Sequence, residues 1–156
     1  MAEKDMKKAL TVYKTLCEML DDRKIRYEKN PDKMNVHFVM GGDDIPIEIV
    51  AVIDAERELI RMFSPLPFAF SEEKRIDGAI ATCQVNYRLV DGNWDYNMRD
   101  GRLFYRMTSS YKQSLISKEL LAYMAACLCF TVDKYNDKFF MINKGALTLA
   151  DFIKSL

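Results

Sequence analysis

Several features that mark particular classes of protein are scarce in this sequence of 156 residues. Histidine occurs once, at His37, which excludes a metal site built on paired histidines. Acidic and basic residues number 23 each, so no net charge attracts nucleic acid or an anionic membrane over a distance. The longest apolar run, residues 120–130, has eleven residues, whereas about 20 are needed to span a bilayer. We therefore predict no nucleic-acid partner and no membrane partner.

The four cysteines lack the spacing of a metal or redox site, because no two of them form a CxxC pair. Cys127 and Cys129 are two residues apart, so on a helix their side chains point about 200° away from each other. We therefore expect all four cysteines to be reduced, buried, structural thiols. The first twenty residues carry charges and no uninterrupted apolar segment of the kind that a secretory signal needs, which predicts a cytoplasmic location.

Length and composition predict one ordinary globular domain over residues 1–156. Apolar residues make up 49% of the chain and charged residues 29%, values that exclude a disordered or fibrous chain. A chain of this size buries roughly two thirds of its unfolded surface in a single core. The sequence contains no internal repeat and no low-complexity segment.

Apolar periodicity predicts the first half of the secondary structure. A helix is predicted over residues 3–22, because apolar residues recur there at intervals of three and four. Alternation in twos predicts a three-stranded meander over residues 34–63, preceded by a short strand at residues 25–28. A second helix follows, with Ser71 as its cap, and runs to about Val90. The residues expected on its inward face are Ile76, Ala79, Ile80, Cys83, Tyr87 and Val90.

The loop of residues 41–44 is expected to close the first hairpin of the meander symmetrically. The predicted opposite pairs are Met40 with Ile45, Phe38 with Ile47 and Val36 with Ile49, all on one face. His37 then lies opposite Glu48, as a strand histidine paired with a carboxylate. Val50 and Val52 give the middle strand a second apolar face, which predicts that something packs there as well.

Residues 92–107 predict a second hairpin together with its register. Asp100 and Gly101 are the residues of a two-residue type I′ turn. The predicted opposite pairs are Met98 with Leu103, Tyr96 with Tyr105 and Trp94 with Met107, which places all six apolar side chains on one face. On the other face we expect Asp95 to meet Arg106.

A long helix is predicted from residue 117 to residue 135 or beyond, and a short one over residues 148–154 with Thr148 and Asp151 as a capping pair. The middle of the long helix is apolar on every side, and such a helix must be buried on every side. One sheet covers only one face, so we expect the other faces to meet another subunit or a client chain. The residues predicted to bind this partner are Leu121, Met124, Ala125, Leu128 and Phe130.

Together these elements predict an α+β fold, in which the three-stranded meander and the hairpin form an antiparallel sheet flanked by helices in the order α-βββ-α-ββ-α-α. This order resembles the YbjN-like family of bacterial proteins, whose fold is that of the type III secretion chaperones. The resemblance covers nearly the whole chain. It is carried by Asn86, Gly-Asn-Trp-Asp-Tyr at 92–96, Asp-Gly-Arg-Leu-Phe-Tyr-Arg at 100–106, Asp-Lys-Tyr at 133–135 and Gly145. The resemblance implies helices against one side of the sheet, frequent dimerisation, no known cofactor and a binding role.

The sequence offers no constellation of catalytic residues. A Ser/His/Asp triad would have to be built around His37, on a strand where its predicted neighbour is Glu48. The carboxylate pairs lie at turns and helix ends, where acids are expected for capping and solubility. We therefore predict a non-enzymatic protein-binding or chaperone-like module that acts as a homodimer and takes a protein or peptide client. The alternatives are a small-molecule-binding regulatory protein and, third, an uncharacterised hydrolase.

Overall fold

The computed structural model describes residues 3–156, with side chains from residue 6 onward, so the first two residues of the predicted domain lie outside the described residues. Its helices are α1 (Glu3–Asp22), α2 (Arg75–Arg88), α3 (Lys118–Lys144) and α4 (Leu149–Ser155). Its strands are β1 (Tyr27–Asn30), β2 (Asn35–Met40), β3 (Ile47–Asp54), β4 (Leu59–Ala69), β5 (Asn93–Tyr96) and β6 (Arg102–Ser110). A short 3₁₀ turn, Glu72–Lys74, leads into α2.

The six strands form one open antiparallel sheet in the order β1-β2-β3-β4-β6-β5. Helices α1 and α3 pack against each other and on the sheet, and α2 packs on α3 and β5. The core lies between this helical layer and one face of the sheet. The predicted α+β fold with its flanked antiparallel sheet is confirmed, and the short strand predicted near residues 25–28 is β1, at the edge.

The register of the first hairpin differs from the predicted one by two residues. The observed pairs are Met40 with Ile47, Phe38 with Ile49 and Val36 with Ala51. The loop spans residues 41–46, because Pro46 has no N–H to add to the ladder. The backbone N–H of Asp43 donates to Oδ1 of Asp133 at 2.7 Å, which ties this loop to α3. A shift of two leaves every side chain on its predicted face.

The second hairpin shows the same kind of shift. Tyr96 pairs with Leu103 and Trp94 with Tyr105, and residues 97–101 form the loop instead of a two-residue turn. Because the shift is again even, the predicted face stays buried along both strands. Met98 is the exception, since it belongs to the loop and is half exposed.

Gly101 fixes the geometry of this longer loop. Its N–H donates to the carbonyl of Asn97 at 2.8 Å, and its carbonyl accepts from the N–H of Phe70 at 2.9 Å. Its φ is +74°, and a Cβ at this position would collide with the carbonyl oxygen of Phe70. Only glycine meets both conditions.

Strand β4 continues to Ala69, beyond the predicted end of the meander, and contains Pro65 and Pro67. Its ladder with β3 ends at Phe63, so the continuation is paired only with β6. Proline is tolerated there as on an edge strand, because no described strand lies on the other side of this part of β4 to accept a hydrogen bond from a backbone N–H. The pairing becomes irregular between Pro65 and Ala69.

Helix α3 runs through the centre of the core and is longer than its predicted minimum. The Ser117 side chain accepts a backbone hydrogen bond in the first turn, and Gly145, with φ +72°, ends the helix. Trp94 is fully buried, with its ring centroid 5.1 Å from that of Phe139 and 5.2 Å from that of Tyr105. Thr148 and Asp151 cap α4 as predicted.

Candidate functional site

The outer face of α2 exposes large apolar side chains. The exposed fractions are 66% for Ile76, 40% for Ile80, 88% for Tyr87 and 97% for Val90, which lies just beyond the helix. Cys83 is exposed in the middle of the same stripe. We call these five residues the α2 outer face. The prediction that this stripe points inward is wrong.

The inward side of α2 carries smaller residues, and their size explains the orientation. The buried residues of the helix are Gly78, Ala81, Thr82 and Val85. A Cβ at Gly78 would lie 2.8 Å from ring atoms of Phe70, so only a residue without a side chain fits at this contact. The side of α2 with the smallest side chains therefore faces the core, because only that side lets the helix pack close to Phe70, although the opposite side is more apolar.

The five residues predicted to bind a partner through α3 differ in how far they are buried. Leu121, Met124, Ala125 and Leu128 are buried in the core of the same chain. Phe130 is 70% exposed. Phe130 is therefore accessible from outside the chain, whereas the other four residues are not accessible while α3 stays on the sheet.

The expectation that α3 is buried on every side within an assembly needs a correction. The sheet covers one side of the helix, and α1 and α2 cover its flanks, so a single chain hides more of α3 than one sheet alone would. An outer strip with Tyr123 and Phe130 remains outside, and these residues are 50% and 70% exposed. Phe140 and Met141, near the C-terminal end of the helix, are also exposed.

The outer strip of α3 is tied to the segment that follows α2. The Tyr123 hydroxyl donates to the Asp91 carboxylate, and the Tyr105 hydroxyl donates to the Asp91 carbonyl at 2.5 Å. Tyr123 and Val90 thus belong to one continuous outer layer, in which Asp91 is the link.

The second face of the sheet has no helix over it in the part of the chain that the structure describes. Val50, Val52, Phe63 and Phe104 lie half buried on this face. No helix of the described chain packs on Val50 and Val52, so the prediction that something packs there stays a prediction. An open depression of about 430 Å³ lies here, lined by Arg61, Phe63, Pro65, Asp95, Phe104 and Arg106.

Two arginines of this depression differ in how well they are paired. Arg106 contacts Asp95 through Nε at 2.6 Å and Nη2 at 3.1 Å, and the hydrogen bond raises the pKa of Arg106. The predicted Asp95–Arg106 pair is confirmed, although the shifted register makes it diagonal, with Phe104 directly opposite Asp95. Arg61 lies 3.6 Å from the Asp54 carboxylate, and its buried Nε has no hydrogen-bond partner in the described structure.

Buried hydroxyl and thiol groups are held in their protonated forms. Burial raises the pKa of Tyr105 to about 12 and that of Cys129 to about 11, and it also raises the pKa of Cys17. None of these three groups is activated as a nucleophile near neutral pH. All four cysteines are free, but Cys17, Cys127 and Cys129 are only half-buried and Cys83 is exposed. The prediction that all four are buried is therefore wrong for Cys83 and holds only in part for the other three.

His37 lies between two strands without the predicted partner. It pairs with Val50 on β3 and with Glu28 on β1, while Glu48 lies opposite Val39. The two-residue shift of the hairpin accounts for this difference. Among the described residues, no three or more His, Cys, Asp or Glu side chains come together as metal ligands do.

No helix among the described residues combines the length and the apolar character that crossing a bilayer requires.

No family model and no curated protein matches this sequence. Solved structures of the same fold include YbjN from E. coli, a proposed transcription regulator, at 13% identity and a TM-score of 0.61, covering 81% of this chain and 92% of that one. The ExsC–ExsE complex matches at 13% identity and a TM-score of 0.62, over 83% and 93% of the two chains. The HopA1–SchA chaperone–effector complex matches at 13% identity and a TM-score of 0.56, covering 83% of this chain and 95% of that one. The chain therefore has the YbjN-like, type III secretion chaperone-like fold that its sequence resembled.

Proposed function

We propose that this chain is a non-enzymatic, chaperone-like protein-binding module, a single domain over residues 1–156, that works in the cytoplasm as a homodimer. The observation that carries the proposal is the α2 outer face, whose large apolar residues are exposed while small residues are buried. Two of the three structures of the same fold reported above are complexes with protein partners, ExsE and HopA1. Free cysteines accord with a compartment that keeps thiols reduced.

An apolar stripe of this kind favours a protein partner. Isolated apolar residues are common on protein surfaces, but contiguous patches mark interaction sites. Ile76, Ile80, Cys83 and Tyr87 recur at intervals of three and four, so they lie on one line along the helix, and Val90 follows just beyond its end. Tyr123 and Phe130 extend the same layer on α3, which keeps Phe130 among the proposed partner-binding residues.

We propose that the partner that binds the α2 outer face is a second copy of the chain. Cys83 lies at its middle, so two copies of α2 that pack antiparallel about a two-fold axis bring Cys83 next to the partner's Cys83. The same arrangement puts Ile76 near the C-terminal end of the partner's helix, and Asp77 near the partner's Arg88. The apolar residues are thus self-complementary, and the flanking charges are of opposite sign.

The dimer is tested by multi-angle light scattering of the eluted chain at micromolar concentration. We expect twice the mass of one chain for the wild type, and the mass of one chain for the double variant Ile76→Ser/Tyr87→Ser. Leu115→Ser is the matched control, because Leu115 is 80% exposed in the loop before α3, away from the stripe. A monomeric wild type would overturn the proposal.

Cross-linking tests the geometry of the interface separately. A short bismaleimide is expected to link two chains through Cys83, and Cys83→Ser is expected to abolish the link. A covalent dimer that persists in Cys83→Ser would show that another surface forms the contact.

A small-molecule-binding regulatory protein is the second candidate function, and the depression on the uncovered sheet face favours it. Arg61 offers a buried, unpartnered Nε beside Phe63 and Phe104, a combination that suits an aromatic carboxylate. In this case benzoate would raise the melting temperature of the wild type but not that of Arg61→Gln. An equal effect of benzoate on both proteins would remove this candidate.

A further inference from the structure

We propose that the cleft between the β2–β3 loop and the C-terminal half of α3 binds an extended protein segment in which an apolar side chain lies next to a lysine or arginine. The inference rests on the protein-binding function proposed above and names the chemistry of the client. We call this site the α3 cleft.

The α3 cleft is an apolar site that the chain itself leaves unfilled. Its volume is about 360 Å³, and its apolar walls are Ile45, Pro67, Phe68, Phe140 and Met141. Phe140 and Met141 remain 44% and 39% exposed. This volume lies at the lower end of the range of about 300–1,000 Å³ for ligand pockets, which suits one or two apolar side chains.

Contacts from both sides hold the cleft open before any client arrives. On one side, the N–H of Asp43 donates to Asp133 at 2.7 Å and fixes the loop on α3. On the other side, the Asn143 side chain donates to the Ala69 carbonyl at 3.1 Å and accepts from the N–H of Ser71 at 2.8 Å. A preformed site needs little ordering when it binds, which favours affinity.

The shape of the surface favours an extended chain over a compact small molecule. The α3 cleft adjoins a second open depression of about 340 Å³, which is lined by the loop and strand-end residues 39–46. Asp44 and Ile45 belong to both depressions. The two depressions therefore meet at these residues, so an extended segment that crosses the loop has a separate place for side chains on each side of them.

The charges at the rim favour a basic residue beside the apolar one. The Asp44 carboxylate is exposed and has no ion pair or hydrogen bond with another residue in the described structure. Asp137 is partly neutralised, because the ammonium of its neighbour Lys138 lies 3.4 Å from its carboxylate. A second positive charge on the α3 side of the cleft is Lys144, whose ammonium lies 5.5 Å from the ring centroid of Phe140. The loop side therefore presents unneutralised negative charge to a client.

The test uses the full chain and two labelled synthetic peptides in fluorescence anisotropy. One peptide has a central leucine flanked by lysines in a serine-glycine background, and its twin has glutamates in place of the lysines. We expect the lysine peptide to bind at least about tenfold more tightly at low salt, and the difference to shrink as salt is added.

Variants separate the charge from the apolar contact. Asp44→Asn/Asp137→Asn is expected to reduce the preference to below about twofold, because it removes the attraction and keeps the shape. Phe140→Ser is expected to weaken both peptides, with Met141→Ser as its substitute if it melts early. Leu115→Ser, in the exposed loop before α3, is the matched control and should leave both affinities unchanged.

Three results would overturn the inference. These are equal affinities of the two peptides, a preference that survives in Asp44→Asn/Asp137→Asn, and displacement of the peptide by hexylamine at a concentration close to the peptide's own Kd. The last result would indicate a site for small apolar cations. If the peptides fail to bind while the chain stays dimeric and cross-links through Cys83, the assignment of the cleft fails and the dimer stands.

Discussion

The side-chain amide of Asn86 holds both backbone polar groups of Trp94, with Nδ2 donating to the carbonyl at 2.9 Å and Oδ1 accepting from the N–H at 2.8 Å. Trp94 lies on β5, an edge strand, so its N–H and carbonyl would otherwise face outward unpaired. A residue of α2 thus takes the place of a neighbouring strand. This contact blocks the middle of the edge against pairing with another chain and fixes α2 on the hairpin.

Replacing Asn86 with alanine is expected to reduce the free energy of unfolding by about 2 kcal/mol. The variant loses two hydrogen bonds near the core, and the backbone N–H and carbonyl of Trp94 are left without a side-chain partner. Urea unfolding followed by far-UV circular dichroism measures the change. Asn30→Ala is the control, since Asn30 accepts one hydrogen bond from the N–H of Lys33 in an exposed turn. Equal losses in the two variants would refute a special role for Asn86.

The diagonal pair of Asp95 and Arg106 is expected to contribute a coupling energy of about 0.2–1 kcal/mol. The side chains are 29% and 36% exposed, so solvent screens part of their attraction. A double-mutant cycle with Asp95→Ala and Arg106→Ala measures the coupling from urea unfolding.

The Asp100–Arg102 pair, in which Arg102 is 75% exposed, is a suitable comparison for this cycle. We expect its coupling energy to be smaller. A larger value for this exposed pair would contradict the expected order.

Gly101→Ala is expected to destabilise the fold by more than about 2 kcal/mol, because the new side chain meets both an unfavourable φ and the Phe70 carbonyl. Gly41→Ala is the matched control. A Cβ at Gly41 has nothing within 4 Å and its φ lies outside the left-handed region, so the variant should unfold within about 0.5 kcal/mol of the wild type. Thermal unfolding of the two variants side by side decides this prediction.

Asp54 is expected to make stability depend on pH in the acid range. Its carboxylate accepts from the N–H of Arg57 at 3.0 Å and from its guanidinium at 3.1 Å, and these bonds hold the pKa of Asp54 below the ordinary 3.8. The folded state therefore binds this proton less readily than the unfolded state does. The stabilisation is fully present above about pH 4 and is lost as the pH falls through the lowered pKa.

Asp54→Asn tests this dependence, because it removes the charge and keeps the size. We expect the variant to be less stable at neutral pH and to lose less stability than the wild type between about pH 4 and pH 2. Urea unfolding over that range measures both changes. Asp32→Asn, in an exposed turn, is the control, and an acid loss in Asp54→Asn as steep as that of the wild type would contradict the assignment.

Periodicity in the sequence was enough to predict which side of each strand is buried. Side chains alternate along a strand, so a register error of two residues in both hairpins left the buried faces unchanged. The pairing of Asp95 with Arg106 was predicted for the same reason, since both residues lie on the outer face of the hairpin in either register. Loop lengths were the missing information, because Pro46 lengthens the first loop and the backbone hydrogen bond from Gly101 to Asn97 closes the second over five residues.

The sequence by itself determined the elements and the faces of the sheet, since these depend on residues close together in the chain. The cap predicted at Ser71 is wrong, because its side chain makes no capping hydrogen bond and α2 begins only at Arg75. Only the tertiary structure decided which side of α2 is buried, because the choice depends on how closely Phe70 approaches Gly78 and not on which side is more apolar. It also decided that the flanks of α3 are covered by α1 and α2, and hence that Phe130 remains outside while its predicted companions are in the core. Packing of this kind joins residues far apart in the sequence, where neither spacing nor propensity carries a signal.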